Sequence, residues 1–263
     1  MREPTLHKYP RTHHLEGSRL QPGDEDLRSF PFEVLLGKHV VVEEKMDGAN
    51  AALSFAQDGE LWLQSRGHHL TGGPRERHFD LFKRWAHSVA AELRPALGEH
   101  HVLYGEWLYA KHTIFYDALP HYFMEFDILD TRTGLFLDTA RRRELLRGLP
   151  VVAVRILHEG ALRSLRELRG LLGRSAFIGP DHLDQLRALC QARGLDVARA
   201  VAETDPGTEM EGLYVKVEEG GAVTARYKLI RPSFLSTVLA SESHWLDRPI
   251  VPNALLDGAR MLP

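Results

Sequence analysis

The residue best placed to act as a nucleophile is Lys45, which closes a Val-rich segment and begins a Lys-x-Asp-Gly turn that Asn50 follows. A lysine attacks only as a free amine, and its ordinary pKa of about 10.4 keeps it protonated at neutral pH. Burial, a neighbouring cation or a metal is needed to lower that pKa. We expect Lys216, Arg226 and Lys228, which come late in the chain, to supply the positive charge.

Further polar and aromatic groups follow Lys45 along the chain. The groups are Ser65-Arg66-Gly67, Tyr104-Gly105-Glu106, Glu125-Phe126-Asp127, Glu211 to Lys216, and Arg226-Tyr227-Lys228. A strand-end lysine that stands alone is ordinarily solvated or ion-paired, and a lone carboxylate is ordinarily on the surface. The ordered set as a whole instead predicts covalent transfer of a nucleotide onto Lys45.

Such a transfer makes definite demands on the surrounding side chains. Attack of an amine on a nucleotide α-phosphate develops negative charge on the phosphate oxygens and on the departing pyrophosphate, so cations and a divalent metal are required. The candidate cations are Arg66, Lys216, Arg226 and Lys228. Glu106 and Glu211 are the candidate ligands for the metal or for a ribose hydroxyl, because Mg²⁺ prefers carboxylate oxygen.

Two phenylalanines compete for the role of stacking on the nucleobase. Phe126 is our candidate, although a phenylalanine in an apolar strand is by default a core residue. Phe123 is its rival, because the two are three positions apart and a regular strand points them to opposite faces. The pattern leaves the choice open.

At these residues the chain resembles the covalent nucleotidyltransferases, and among them the nick-sealing ATP-dependent RNA ligases typified by the second RNA ligase of bacteriophage T4. The matched motifs run from Glu44 to Lys228. Asn50 and the Ser-Arg-Gly group favour RNA ligases over DNA ligases and capping enzymes. The resemblance implies an α+β fold, with an antiparallel-sheet nucleotidyltransferase domain of ATP-grasp-like architecture.

The resemblance also implies a role for each matched residue. Lys45 takes AMP from ATP, with Mg²⁺ or Mn²⁺ as the second cofactor. Glu44 is implied to contact the adenine edge and Phe126 the base face. Glu106 is implied to bind the ribose or the metal, and Glu211 the metal. Asn50 and Arg66 are implied to contact phosphate or a polynucleotide end, and the nucleotide and its phosphates are implied to be bound by Lys216, Arg226 and Lys228. Arg226 and Lys228 join Lys45 as expected catalytic residues.

Two departures from the family pattern affect these expectations. The family commonly has lysine at the position of Arg226, and an arginine keeps the charge but cannot lose its proton. A proton-donating role therefore passes to Lys228 or disappears. DNA ligases and capping enzymes also carry an OB-type domain after the last motif, whereas Pro232 to Pro263 is a short tail that contains Trp245. We expect no C-terminal OB domain, which favours RNA over long DNA.

The strand and helix patterns predict one domain with an insert. Residues 38–230 form the expected nucleotidyltransferase domain, residues 1–37 a peripheral N-terminal segment, and residues 231–263 a tail packed on the domain. Asp58-Gly59 and Gly220-Gly221 are hairpin turn signals. Leucines at helical spacing predict two or three helices in an insert at about 139–200.

The amino-acid composition says little about binding partners, but the cysteine content indicates the cellular compartment. The net charge of −3 gives no overall attraction to nucleic acid, so any such site must be a local group of basic residues. The single cysteine, Cys190, excludes an intramolecular disulfide, which is consistent with a cytoplasmic protein. No uncharged apolar run reaches membrane-spanning length, so we expect no membrane partner.

The arginines of the insert and the paired histidines are less informative. Arg141 to Arg143 and the arginines near 163–169 form either an RNA-binding face or an ordinary solvated helix surface, and the pattern does not decide between them. His13-His14, His68-His69 and His100-His101 lack the spacing of a metal site.

The sequence therefore predicts an ATP-dependent RNA ligase that repairs RNA by joining 3′-hydroxyl and 5′-phosphate ends through lysyl-AMP on Lys45. The expected partners are RNA ends, as a nicked duplex or broken RNA, and a separate end-healing kinase or phosphatase. One alternative is a DNA ligase or a GTP-dependent capping-type transferase. Another is a non-catalytic subunit that binds RNA ends, although such a protein would be expected to have lost Lys45 or Glu211.

Overall fold

The computed structural model describes residues 5–18, 24, 26–234 and 249–262. Twelve strands form one sheet. The strands are β1 (His13–Leu15), β2 (Ser29–Phe30), β3 (Val40–Lys45), β4 (Ala49–Phe55), β5 (Leu61–Ser65), β6 (His101–Trp107), β7 (Phe123–Asp130), β8 (Leu135–Leu137), β9 (Val152–Ala153), β10 (Ile156–Gly160), β11 (Gly212–Glu219) and β12 (Ala222–Ile230). The helices are α1 (Asp80–Leu97), α2 (Thr139–Leu145), α3 (Leu165–Arg169), α4 (His182–Ala192) and α5 (Val197–Ala202).

The strand order along the sheet is β10-β3-β11-β12-β8-β7-β6-β4-β5, and every pair on this path is antiparallel. Strands β1 and β9 add parallel pairings to β12 and β7. The predicted α+β class with an antiparallel sheet is confirmed. The hairpins at Asp58-Gly59 and Gly220-Gly221 are also confirmed, with positive φ at Gly59, Gly220 and Gly221.

The sheet bends because β3 and β4 are close in sequence but far apart in strand order. Six strand spacings separate them along the path, which is about 29 Å in a flat sheet. The link from Lys45 to Ala49 can span only about 14 Å. The two halves of the sheet, β10-β3-β11-β12 and β7-β6-β4-β5, must therefore face each other. Short strand β8 joins them at one end, where it pairs with Ala222 and Val223 of β12 and with Leu129 and Asp130 of β7.

Helix α1 covers the half that contains β4 and β6. Its buried positions Phe82, Trp85, Val89 and Leu93 repeat at helical spacing and pack on the apolar face of that half-sheet. The helix runs to Leu97, so the proline at position 95 lies inside its last turn.

The insert differs from the all-helical segment that the leucine spacing predicts. It contains four short helices, α2 to α5, and also strands β9 and β10. Strand β10 pairs with β3 and so extends the sheet beside the strand that carries Lys45. The stretch from Leu162 to Leu168 forms only the five-residue helix α3, because Ser164 caps the helix at Leu165.

A network of five buried charged side chains and the partly buried Arg226 lies between the two halves of the sheet. Arg142 of α2 is 2% exposed, and its guanidinium nitrogens are 2.9 Å from Glu43, 3.4 Å from Glu125 and 3.5 Å from Asp127. The remaining pairs are Lys216–Glu43 at 2.8 Å, Lys216–Asp127 at 3.2 Å and Arg226–Asp127 at 3.0 Å. Three cations thus face three carboxylates, and the desolvation cost of each depends on the presence of the others.

The N-terminal residues are more integrated than a peripheral segment would be. Strand β1 pairs in parallel with β12, which places His14 opposite Lys228. In the tail, Pro252 and Leu255 form isolated bridges to Ala110 and Leu119. Trp245 and the rest of residues 235–248 lie outside the described residues. A search of the described helices for an apolar segment of membrane-spanning length finds none.

Replacement of Arg142 tests the energetic importance of the network. We expect Arg142→Met to lower the free energy of unfolding by about 3–5 kcal/mol, because it leaves buried carboxylates without a cation. Urea denaturation followed by circular dichroism measures the change. The matched control is Arg143→Met, since Arg143 is 56% exposed and pairs with exposed Glu159; its expected cost is below about 1 kcal/mol. Equal, small losses in the two variants would contradict this description of the network.

Candidate active site

A cavity of about 730 Å³ opens between the two halves of the sheet at the end away from β8. The predicted site residues that line it are Glu44, Lys45, Asn50, Arg66, Glu106, Phe126 and Lys228. Both halves contribute: β3 and β12 bring the two lysines, and β4, β6 and β7 bring the residues opposite. The bend that closes the β3–β4 link therefore also forms the cavity.

Lys45 lies at the centre of the site, at the last position of β3. Its Nζ donates a hydrogen bond of 2.7 Å to Glu211 Oε1, and the two side chains are 26% and 2% exposed. The antiparallel register explains the contact, because Gly212 at the start of β11 is directly opposite Lys45. A Cβ at Gly212 would lie 2.3 Å from the Leu229 carbonyl oxygen of β12, so the close approach of β12 to the start of β11 requires glycine there.

The electrostatics around Lys45 are the reverse of those expected from the sequence. Burial lowers the pKa of Lys45, but the negative charges of Glu211, Glu106 and Asp47 outweigh it, and the pKa lies above its ordinary value. Among the described residues, no arginine or lysine lowers this pKa enough to free the amine. The strand pattern could not show this, since it does not reveal that three carboxylates converge on one amine.

The turn after Lys45 is fixed by hydrogen bonds to a distant loop. Asp47 Oδ2 accepts from the backbone N–H groups of Thr113 and Ile114, each at 2.7 Å. The Asp47 N–H donates to the Tyr116 hydroxyl at 2.9 Å. A Cβ at Gly48 would lie 2.7 Å from the Trp107 carbonyl oxygen, so glycine is needed where the turn meets β6. The aspartate and glycine of the motif therefore position the lysine.

Glu106 and Glu211 are carboxylates with pKa values above the ordinary value for glutamate. Burial raises the pKa of Glu106 to about 8 and that of Glu211 to about 7, against the opposing effect of Lys45. Glu211 Oε2 is buried and has no hydrogen-bond partner. Within the described part of the chain, no three ligand-type side chains are grouped to hold a metal by themselves. Two carboxylates with one unpartnered oxygen fit Mg²⁺ or Mn²⁺ that binds with the help of phosphate oxygens.

Aromatic rings form one wall of the cavity. Phe126, Tyr9 and Tyr214 all line it, with the Phe126 and Tyr9 ring centres 5.1 Å apart. The Tyr9 hydroxyl lies 2.8 Å from the Tyr214 hydroxyl and also donates to Asp127. Phe123 instead is fully buried against Trp85 beneath α1. The two phenylalanines thus face opposite sides of β7, and Phe126 is on the cavity side.

Lys216 and Arg226 lie behind this wall and do not line the cavity. Lys216 has no exposed surface, and its Nζ donates to the Phe126 carbonyl oxygen. The Arg226 guanidinium stacks 3.9 Å from the centre of the Phe136 ring. This differs from the expectation that both side chains contact nucleotide. Lys216 is two positions along β11 from Tyr214, and Arg226 is two positions along β12 from Lys228. A step of two strand residues covers about 7 Å, which takes each side chain from the cavity into the buried network.

Lys228 lines the cavity, but it is already paired with a residue of the N-terminal segment. Its Nζ donates to Asp24 Oδ2 at 2.5 Å, and His14 Nε2 lies 2.9 Å from the same oxygen. Burial lowers the pKa of Lys228, and nearby Lys45 lowers it further, whereas Asp24 opposes both. Asp24, Tyr9 and His14 had no motif to mark them, because they lie in a polar segment without strand or helix periodicity.

Asn50 and Arg66 occupy the side of the cavity opposite Lys228. Asn50 is directly across from Glu106 in the β4–β6 register, and its Oδ1 is buried without a hydrogen-bond partner. Arg66 is exposed at the mouth of the cavity. The preceding Ser65 is held by His68, whose Nδ1 lies 3.0 Å from the Ser65 hydroxyl.

Glu44 also borders the cavity, yet its carboxyl group is buried. Oε1 accepts a hydrogen bond of 2.5 Å from the Ser175 hydroxyl, and Oε2 has no partner. Burial raises the pKa of Glu44, although the contact with Ser175 and the charge of Arg155 oppose that shift. Ser175 belongs to the insert and carried no sequence signal.

Comparison with known proteins identifies one family. The model of the RNA ligase family matches residues 38–230. This range contains Lys45, Glu106, Glu211 and two of the three aromatic residues of the cavity wall, Phe126 and Tyr214. No curated protein sequence matches the chain.

Several solved structures share the fold. An RNA ligase mutant from Naegleria gruberi solved with ATP and Mn is similar with a TM-score of 0.56 at 17% identity, over 89% of this chain and 59% of that one. A second mutant of the same enzyme, solved with AMP and Mn, has a TM-score of 0.55 at 16% identity, over 89% and 59%. The Naegleria gruberi RNA ligase with PPi has a TM-score of 0.51 at 17% identity, over 89% of this chain and 58% of that one. The chain thus spans about three fifths of the length of these relatives.

The raised pKa of Glu106 makes a testable prediction about stability. Between the ordinary glutamate pKa of about 4.3 and the folded value of about 8, the folded protein holds a proton that the unfolded chain has released. Raising the pH through this range favours the unfolded chain, which has already released its proton, so the free energy of unfolding falls from about pH 5 to about pH 8. We expect this fall to be about 1–3 kcal/mol smaller in Glu106→Gln, measured by urea denaturation in the presence of a chelator. Glu99→Gln, at an exposed glutamate, is the control, and parallel curves for Glu106→Gln and wild type would contradict the shift.

Proposed function

The chain belongs to the RNA ligase family, and on that premise we propose that it is an ATP-dependent RNA ligase that joins 3′-hydroxyl and 5′-phosphate ends through AMP carried on Lys45. The observation that carries the proposal is the position of Lys45 in the cavity, on Glu211 and facing Glu106 and Phe126. A lysine can act as a covalent nucleophile, and the carboxylates, the aromatic wall and the second lysine around it supply a proton acceptor, a surface for a base and a positive charge for phosphate.

In the proposed first step, the Lys45 amine attacks the α-phosphorus of ATP. A nitrogen–phosphorus bond forms, and the bond from that phosphorus to the bridging oxygen of pyrophosphate breaks. The ammonium must lose a proton before attack, and Glu211, which is hydrogen-bonded to it, is the acceptor within reach. Lys228 also lines the cavity and is proposed to oppose the charge of the phosphates.

Glu211 and Glu106 are the residues that would hold Mg²⁺ or Mn²⁺. A divalent cation there would neutralise the charges that raise the pKa of Lys45 and would screen the phosphate oxygens. Asn50 and Arg66 are proposed contacts for phosphate or for the RNA end, and Phe126 for the base face. Lys216 and Arg226 are proposed to support the wall from behind through Asp127.

Two later steps complete the proposed reaction. AMP moves from Lys45 to the RNA 5′-phosphate, and the 3′-hydroxyl then displaces AMP to form the phosphodiester. The nick-sealing subtype, typified by the second RNA ligase of bacteriophage T4, is our proposal for the substrate, with RNA repair in the cytoplasm as the setting. A separate kinase or phosphatase would prepare ends that lack the required groups.

The proposed catalytic domain spans residues 38–230, with the insert at about 139–200. Residues 1–37 and 231–263 are proposed to flank and support it. The contacts of Asp24 and Tyr9 in the cavity support this role for the N-terminal segment.

A sealing assay tests the proposal. We expect the wild-type protein with ATP and Mg²⁺ to seal a nicked RNA duplex bearing 3′-hydroxyl and 5′-phosphate ends. Lys45→Ala should reduce sealing below detection, because the nucleophile is gone. The matched control is Lys38→Ala, which removes a half-exposed lysine near the start of the same strand and should seal normally.

The outcomes separate the competing functions. Sealing by Lys45→Ala would contradict the catalytic assignment. Use of GTP in place of ATP would indicate a capping-type transferase, and equal sealing with a DNA 3′-hydroxyl strand would indicate a DNA ligase. Binding of RNA ends with no joining under any metal would indicate a non-catalytic subunit.

A further inference from the structure

The insert makes a buried contact with the residue next to the nucleophile. Ser175 lies in the loop between α3 and α4, and its hydroxyl donates to Glu44 Oε1 at 2.5 Å. Ser175 is 2% exposed and Glu44 is 1% exposed. The contact joins residues 131 positions apart in sequence, so the insert reaches the strand of Lys45 at this point.

The direction of this hydrogen bond is fixed by a second one. The backbone N–H of Phe177 donates to Ser175 Oγ at 3.1 Å. That contact uses a lone pair of the hydroxyl oxygen, and the hydroxyl proton is left to point at Glu44. The N–H of Ala176 also donates to the Glu44 carboxyl group. The loop thus supplies two donors that orient the Glu44 carboxyl group.

The loop that carries Ser175 is itself held on both sides. The Ser175 N–H donates to the Thr208 carbonyl at 2.9 Å, and the Met210 N–H donates to the Gly173 carbonyl at 3.0 Å. On the other side, the Asp117 N–H donates to the Phe177 carbonyl at 3.2 Å. These contacts anchor the loop to the segment just before Glu211 and to the loop after β6.

The second oxygen of Glu44 is what this arrangement leaves available. Oε2 is buried and has no hydrogen-bond partner, and Glu44 is one of the residues that line the cavity. Met46, Val154 and Phe126 line the same cavity and belong to one apolar cluster. A flat apolar slot with a single buried acceptor fits a purine that presents an N–H donor, and it disfavours a purine that presents an oxygen there.

We propose that Ser175 is a positioning residue, which holds Glu44 as the acceptor for the exocyclic amine of the donor nucleotide and thereby makes the insert a determinant of donor selectivity. The inference rests on the proposed function, since it concerns the nucleotide that Lys45 attacks. It gives the insert a role that is separate from any contact between its arginines and RNA.

The test compares two donors that differ at one position of the purine. Single-turnover formation of the nucleotide adduct on Lys45 is measured with ATP and with inosine triphosphate, which carries an oxygen in place of the amine. We expect Ser175→Ala to lower kcat/KM for ATP about tenfold, through KM, and to change inosine triphosphate less than about twofold. Ser175→Thr retains the hydroxyl and should keep most of the wild-type preference.

Ser164→Ala is the matched control, because it removes a serine of the same insert that caps α3 and does not contact Glu44. It should leave the preference for ATP unchanged. The inference is overturned if Ser175→Ala keeps the wild-type preference, or if both donors lose efficiency equally, as a loosened fold would cause. If wild-type protein forms an adduct with neither donor, the proposed function itself fails; an adduct with unaltered selectivity in Ser175→Ala overturns only the role of Ser175.

Discussion

The ion pair between Lys45 and Glu211 depends on one feature of the backbone, the antiparallel register that sets the end of β3 against the start of β11. The pair holds a charged amine in a mostly enclosed cavity, where an unpaired ammonium would be costly. It also keeps the amine protonated, because Glu106 and Asp47 add to the charge of Glu211. In the absence of ligands the site thus pairs the Lys45 ammonium with carboxylates. Attack by Lys45 requires a bound cation to offset those carboxylate charges.

The buried network behind the cavity shows why the wall is rigid. Asp127 is shared by Arg142, Lys216 and Arg226, and it also accepts the hydroxyl of Tyr9. Two of these cations come from strands of one half-sheet, Asp127 comes from the other, and Arg142 comes from the insert. Because a buried charge is costly without its partners, the network favours one mutual placement of these elements. That placement is the one that sets Phe126 and Tyr214 beside Lys45.

The sequence predicts the elements of this fold well and the contacts between them poorly. The hairpins, helix α1 and the strands of the motifs follow from local patterns that a single segment contains, such as Gly220-Gly221 or the spacing of Phe82 and Trp85. The burial of Lys216 depends on how strands from two half-sheets meet, which no local pattern records. Asp24 lines the cavity and Ser175 contacts the cavity residue Glu44 across long separations in sequence, and both residue types are ordinary for loops.

The location of AMP after incubation with ATP tests the central claim most directly. Protein is mixed with ATP and Mg²⁺, denatured, digested, and searched by mass spectrometry for covalently attached AMP. The account predicts one AMP per chain, attached through a phosphoramide bond to Lys45 alone. Absence of covalent AMP with either Mg²⁺ or Mn²⁺, or its attachment to a different residue, would contradict the account.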